Sequence, residues 1–167
     1  NGISRREKFR LRFYNNDPSF IRLEKKSKID GLCCKEKVSI SKEQCEKLLQ
    51  GDIDWLVISD NGLLQELYAR MKHQLLRPKT VVDYAREAYI YEPGNVRITF
   101  DSNLQSGLFS QDFLAPDLPT VAMTPNDKVI LEVKFDEFLP ELIRDIIQTN
   151  QRRSSSISKY AACRMFG

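Results

Sequence analysis

The sequence predicts an α+β fold built around antiparallel sheet, and three observations predict it. First, residues 9–26 read FRLRFYNNDPSFIRLEKK, two alternating runs about the polar turn Asn15-Asn16-Asp17-Pro18. Phe9, Leu11 and Phe13 fall on one side of the first run, and Arg10, Arg12 and Tyr14 on the other. In the second, Ile21 and Leu23 oppose Arg22, Glu24 and Lys26, because side chains alternate across a strand. Second, the same alternation returns over residues 80–91, 96–101 and 128–136, always with Arg, Lys or Glu on the non-core side. Third, apolar residues at helical spacing occupy separate stretches, 61–75 and 139–147,. A sheet with one charged face is ordinarily wet on that side. The recurrence of cations points further, to a closed or cupped sheet lined with positive charge, a site for a polyanion.

In chain order, the opening hairpin leads through a turn at Gly31 to a third strand over 32–40 that carries Lys35 and Lys37. Ser41 is an N-cap, and the helix it opens closes at Gly51,. Trp55, Leu56, Val57 and Ile58 form an apolar run of either type. Leu63, Leu64, Leu67, Tyr68, Met71 and Leu75 mark a helix that ends before Pro78,. In strand 80–91, Tyr84, Arg86 and Ala88 share a face, with Ala85, Glu87 and Tyr89 opposite. The turn Glu92-Pro93-Gly94-Asn95 joins it to strand 96–101 as an antiparallel hairpin,. There Val96, Ile98 and Phe100 are expected in the core, with Arg97, Thr99 and Asp101 opposite.

Residues 102–124 read as irregular, packed down by Phe109, Phe113 and Leu114. Strand 128–136 places Leu131, Val133 and Phe135 inward and Glu132 and Lys134 outward. Leu139-Pro140-Glu141 opens a helix with an apolar stripe of Leu142, Ile143, Ile146 and Ile147,. The tail, 152–167, is a Ser-rich loop and a short helix. With no repeat and no linker, residues 1–167 read as a single domain.

Length and composition agree with that reading. A chain of 167 residues, 41% hydrophobic, is large enough for a real core,. A net charge of +3 is too mild to imply nucleic acid,. A nucleic-acid binder would need aromatics on the charged faces, and only Tyr14 and Tyr84 fall there,. Cys33, Cys34, Cys45 and Cys163 form no CxxC pair, and His73 is the single histidine, which argues against zinc,. The cysteines read as small buried hydrophobes in a reducing, cytoplasmic compartment rather than as a disulfide framework. No apolar run reaches the length of a membrane span,, so any membrane coupling would need a separate domain or partner.

The non-core faces collect Arg10, Arg12, Arg22, Lys26, Arg86, Arg97 and Lys134, opposed by Glu24 and Glu132. Burying that excess without counter-ions would be prohibitive. Either water or an anion completes these faces. Arg forks and Lys point charges are the usual phosphate ligands. A carboxylate among them suits Mg²⁺ or Mn²⁺ bridging to phosphate oxygens. The plainer alternatives are a solvated sheet face and, for Glu24, an internal salt bridge.

The runs REKFRLRFYN, FIRLEKK, GLCCKE, YAREAY, VRITFD, ILEVKFD and SSISKY resemble, in order, the successive blocks of the VTC domain. This is the polyphosphate polymerase domain of the vacuolar transporter chaperone family and its bacterial relatives, within the CYTH-like triphosphate tunnel metalloenzymes. Each block is a weak signal; their order, from Arg5 to Arg164, is a specific one. The resemblance implies a tunnel of antiparallel strands with helices packed outside and a bore lined by Arg, Lys and Glu. It implies transfer of the γ-phosphate of ATP onto polyphosphate, with ATP, triphosphate or polyphosphate as partners and Mn²⁺ or Mg²⁺ as cofactor.

By the same resemblance, Arg10, Arg12, Arg86, Arg97, Lys134 and Lys159 are catalytic. The phosphate-binding set is these six with Lys26, Lys35 and Ser158, to which strand alternation adds Arg22. Glu132 and Glu24 are the metal ligands. Relatives begin with a further strand bearing a tunnel Lys or Glu, so the resemblance also implies that an N-terminal strand is missing from this chain. A tripolyphosphate or nucleoside-triphosphate hydrolase and a noncatalytic polyanion-binding domain are the alternatives on the same fold.

Overall fold

The structure is a computed structural model, and it describes residues 5–30, 32–125, 128–148 and 156–164. The turn expected at Gly31 and the first part of the Ser-rich loop, 152–155, lie outside these residues. The fold is α+β, and its contacts divide the chain into two compact units. One is Asn1–Pro78 with Leu114–Asp117; the other is Lys79–Phe113 with Leu118–Gly167.

The first unit is a three-stranded antiparallel sheet in the order β1 (Arg5–Tyr14), β2 (Asp17–Ile29), β3 (Leu32–Ile40). Asn15 and Asn16 carry φ of 56° and 53° and form a two-residue turn between Tyr14 and Asp17. Two consecutive positive φ values match the twist of the flanking strands, and Asn tolerates them better than most residues. Three helices follow: α1 (Lys42–Gln50), α2 (Asp54–Ile58) and α3 (Gly62–His73).

Ser41 and Gln44 close a reciprocal capping box on α1, and Gly51 ends it in the left-handed region at φ 86°,. The ambiguous run at Trp55 is helical, and at five residues it is too short to show a period. Ile21, Leu23, Ile40, Cys45, Leu48, Leu56, Leu64, Leu67 and Met71 are the buried core. Lys25 lies on this same side of β2 and is 7% exposed. Its Nζ sits 2.6 Å from both carboxylate oxygens of Glu66 on α3, and Glu7 on β1 pairs with Arg70 of α3. These ion pairs fasten the back of the sheet to the helix.

The second unit is built on β5 (Val96–Gly107), which pairs antiparallel with β4 (Val81–Tyr91), β6 (Thr120–Ala122) and β7 (Ile130–Lys134). Two helices complete it, α4 (Glu141–Ile147) and α5 (Lys159–Cys163). β5 continues six residues past the expected end at Asp101. Asn103, at φ 53°, forms a bulge across which Asp83 pairs with Gln105 while Ala85 pairs with Ser102,. Leu104, Ser106 and Gly107 beyond it are all buried. A bulge breaks the alternation that would have marked the strand.

The expected sidedness of β5 is also corrected. Thr99 and Asp101 are 3% and 1% exposed, whereas Phe100 is 36% exposed. The reason is α5, which packs on the Asp101 side, where Ser106 Oγ donates to the Cys163 carbonyl at 3.3 Å. The other face carries Tyr89, Ile98, Phe100 and Leu131 in an open apolar groove bordered by Ile146 and Ile147. Phe109 is exposed rather than packed down, while Phe113 and Leu114 are half-buried. Cys45 and Cys163 are buried as expected, but Cys33 and Cys34 are exposed, and all four are free thiols.

Among the described residues, neither sheet closes into a barrel. Closure would need a ladder between the outer strands, and the pairings end at β1 and β3 in one sheet and around β5 in the other. No helix among these residues is long and apolar enough to cross a membrane.

The β4–β5 turn sets the register that aligns the charged side chains of both strands. Gly94 there has φ 74°, and a Cβ would collide with the Phe138 carbonyl oxygen. Gly94→Ala is therefore expected to lower stability by about 2 kcal/mol, measured by urea unfolding. An unchanged midpoint would contradict this account of the turn.

Candidate functional site

The face of the first sheet turned away from its helices is almost wholly cationic. Along the regular ladder, Arg6, Lys8, Arg10 and Arg12 of β1 stand opposite Lys28, Lys26, Glu24 and Arg22 of β2. Lys35 and Lys37 of β3 stand opposite Lys26 and Glu24. Like charges thus face each other at Arg12 and Arg22, at Lys8 and Lys26, and at Lys26 and Lys35. Such placement is normally destabilising. Strand parity put Lys26 on this face and Lys25 on the other, as observed.

Glu24 is the one carboxylate among the described residues of that ladder face, and it is 2% exposed. Arg10 Nε donates to its Oε2 at 2.6 Å, and Lys35 Nζ lies 2.8 Å from its Oε1. Burial pushes the Glu24 carboxyl up. The hydrogen bonds and charges of Lys35 and Arg10 outweigh burial and bring it down to about 2,. Glu24 is therefore a fixed anion that spaces two cations on neighbouring strands. Both of its oxygens are engaged, the salt-bridge alternative open from the sequence.

Arg12 and Arg22 are held differently. Each guanidinium lies over an aromatic ring on its own strand, Arg12 at 4.3 Å from the Tyr14 centroid and Arg22 at 4.6 Å from that of Phe20,. Phe20 is the aromatic that sequence reasoning missed. The signal was available in parity, since Phe20 is two residues from Arg22.

The second unit repeats the arrangement. Arg86 makes a two-pronged contact with Asp101, Nε to Oδ1 at 2.6 Å and Nη2 to Oδ2 at 2.7 Å. Lys159 Nζ, brought in by α5, reaches the same Oδ2 at 2.6 Å. Burial pushes the Asp101 carboxyl up, and Arg86 and Lys159 together drive it below the ordinary value. The hydrogen bonds to Asp101 raise the Arg86 pKa against the opposing effect of burial. Tyr84 lies beneath both cations, 5.2 Å from Arg86 and 5.4 Å from Lys159. Ser158 is the N-cap of α5, and its Oγ accepts from the Ala161 N–H at 3.2 Å. The placement of Ser158 and Lys159 is thus a helix-start effect that strand parity does not reveal.

On the same face Arg97 stands opposite Lys134, and Thr99 opposite Glu132. Lys134 Nζ is 3.4 Å from Glu132 Oε1, with the two side chains 62% and 41% exposed. Among the described residues no ion pair or hydrogen bond engages Arg97. The anchor missed in this unit is Asp101. Its place beside Arg97 in the alternation was legible, but its burial depends on α5.

The structure therefore gathers Arg10, Arg12, Arg22, Glu24, Lys26 and Lys35 on one sheet face. It gathers Arg86, Arg97, Glu132, Lys134 and Lys159 on another, with Ser158 at the start of the adjoining helix. A family model described as the VTC domain fits residues 1–166. No curated protein and no solved structure matches the chain.

The Glu24 carboxyl is depressed in the folded state, so its stabilisation is complete above its ordinary value of 4.5 and is lost as pH falls toward about 2,. Urea midpoints measured across that window are expected to fall with pH. Glu24→Gln should start lower at neutral pH and lose less over the window. Equal pH slopes for the two proteins would contradict the assignment.

Proposed function

The chain belongs to the VTC domain family, and from that premise we propose that it is a phosphotransferase that moves the γ-phosphate of ATP onto a polyphosphate chain. The observation that carries the proposal is the set of like-charge pairs on the sheet faces, Arg12 with Arg22, Lys26 with Lys35, and Arg97 with Lys134. Cations set directly opposite one another are relieved by an anion that touches both, and a phosphate chain has such oxygens at regular intervals. The family's triphosphate tunnel would turn faces of this kind toward its bore.

In this reading a terminal oxygen of the acceptor chain attacks the γ-phosphorus of ATP, the bond to the β-phosphate oxygen breaks, and ADP leaves with that electron pair. No covalent enzyme intermediate is needed. Arg10, Arg12, Arg22, Lys26 and Lys35 on the one face, and Arg86 and Arg97 on the other, are the cations that would hold nonbridging oxygens. Lys134 and Lys159 offset charge on the attacking and leaving phosphates. Such catalysis rests on positioning and electrostatic stabilisation. Ser158 acts by fixing the start of α5 and so the reach of Lys159.

The fit of a divalent cation can be judged from the carboxylates. Glu24 and Asp101 each have both oxygens engaged by cations. Glu132 is 41% exposed, is paired only with Lys134 at 3.4 Å among the described residues, and shares its face with Arg97. Among the described residues no cluster of three His, Cys, Asp or Glu side chains could hold a metal unaided. Glu132 therefore fits a cation of the Mg²⁺ kind, which commonly takes one or two carboxylates and completes its shell with phosphate oxygens and water. Held by Glu132, Mn²⁺ or Mg²⁺ would supply Lewis-acid neutralisation of phosphate charge. Glu24 would serve in positioning Arg10 and Lys35.

Incubation with ATP and Mn²⁺, assaying long-chain polyphosphate and free phosphate together, tests the proposal. Polyphosphate is expected from the wild type, with Arg97→Ala and Glu132→Ala each reduced on the order of 100-fold. Free phosphate without polymer would assign the protein as a hydrolase. Neither product, with tripolyphosphate still bound, would leave a noncatalytic binding domain.

A further inference from the structure

The cationic face of the first sheet is not uniform along its length, and its hairpin end differs in chemistry from the rest. Tyr14 and Phe20 are 51% and 50% exposed there. Each ring is flanked by the guanidinium of its own strand, Arg12 at 4.3 Å and Arg22 at 4.6 Å. Because Arg12 and Arg22 are cross-strand partners, the two aromatic–arginine pairs sit side by side. Beyond them, toward Lys8 and Lys26, the face carries cations and Glu24 but no aromatic residue.

The hairpin end also carries Asp17, directly opposite Tyr14. Its carboxyl is held below the ordinary value, first by the hydrogen bond from the Ser19 backbone N–H at 2.9 Å. An ionised carboxylate makes this end the poorer one for phosphate. Exposed aromatic rings and guanidinium planes are, in turn, the surfaces on which nucleobases stack, and they do so with little regard to base identity.

We propose that Tyr14 and Phe20, with the guanidinium planes of Arg12 and Arg22, form the stacking site for the base of a bound nucleoside triphosphate. Its phosphates then run away from the turn along Arg10 and Lys26. This rests on the phosphate-binding reading above and adds to it a direction: base at the Asn15-Asn16 turn, phosphates toward the far end of β1 and β2. Successive cations on one face of β1 lie about 7 Å apart, so Arg12 and Arg10 meet different parts of the nucleotide. Arg12 has two roles, one face of its plane toward the base and its N–H groups toward the first phosphate.

Calorimetric titration with ATP and, separately, with inorganic tripolyphosphate tests this in the full chain. Tyr14→Ala and Phe20→Ala together are expected to weaken ATP about tenfold and to leave tripolyphosphate unchanged. Tyr14→Phe should retain wild-type ATP affinity, since the ring is kept. The proposal is overturned if ATP affinity is unchanged in the double variant, or if ATP and tripolyphosphate weaken equally. A single-stranded oligonucleotide that binds more tightly than ATP would overturn it in favour of nucleic acid. If the wild type fails to bind tripolyphosphate at all, the phosphate-binding reading falls and this proposal with it, an outcome distinct from the others.

Discussion

The structure is organised by the cost of setting cations opposite cations. In two sheets the register places Arg or Lys directly across from Arg or Lys, where a pair of opposite sign would have been the stabilising choice,. Each such pairing weakens the sheet by a few tenths to about 1 kcal/mol. Register cannot relax to escape this, because a slip by one residue would move Ile21 and Leu23 out of the core and the cations into it,. The apolar back of the sheet therefore fixes the charged front. An anion lying across the front would recover what the register gives up.

The two carboxylates buried on these faces do related work. Glu24 joins Arg10 to Lys35 across three strands, and Asp101 joins Arg86 to Lys159 across two strands and a helix. Each is nearly inaccessible to water and keeps its charge because two cations outweigh burial. Neutralising part of the positive charge from below leaves the guanidinium and ammonium groups pointed and spaced, at lower cost than a bare array. Lys25 is a contrast: it faces the helices, pairs with Glu66, and serves to attach the sheet to α3.

Much of this was legible in the sequence. Alternation put Arg10, Arg12, Arg22, Glu24 and Lys26 on one face, and Arg86, Arg97, Glu132 and Lys134 on another, because period-2 patterning survives wherever one face of a strand is buried. What alternation could not give is what depends on a second element. Asp101 is buried and Phe100 exposed only because α5 covers one side of β5. The extension of β5 to Gly107 was hidden by the bulge at Asn103, which breaks the pattern. Ser158 and Lys159 came from family resemblance, since a helix of five residues leaves no periodic trace. The exposed Cys33 and Cys34 lie on β3, most of whose residues are exposed on both faces, so burial propensity misleads there.

The central claim is that an anionic phosphate chain completes the cationic sheet faces. The direct measurement is thermal unfolding with inorganic tripolyphosphate, set against sulfate at matched ionic strength. A ligand that binds only the folded state raises stability by RT ln(1 + [L]/Kd), about 2.7 kcal/mol at a hundredfold excess over Kd. The account predicts a rise in Tm of several degrees with tripolyphosphate that sulfate does not reproduce. Equal shifts with the two anions, or none with either, would contradict it and leave the cationic faces as solvated surface.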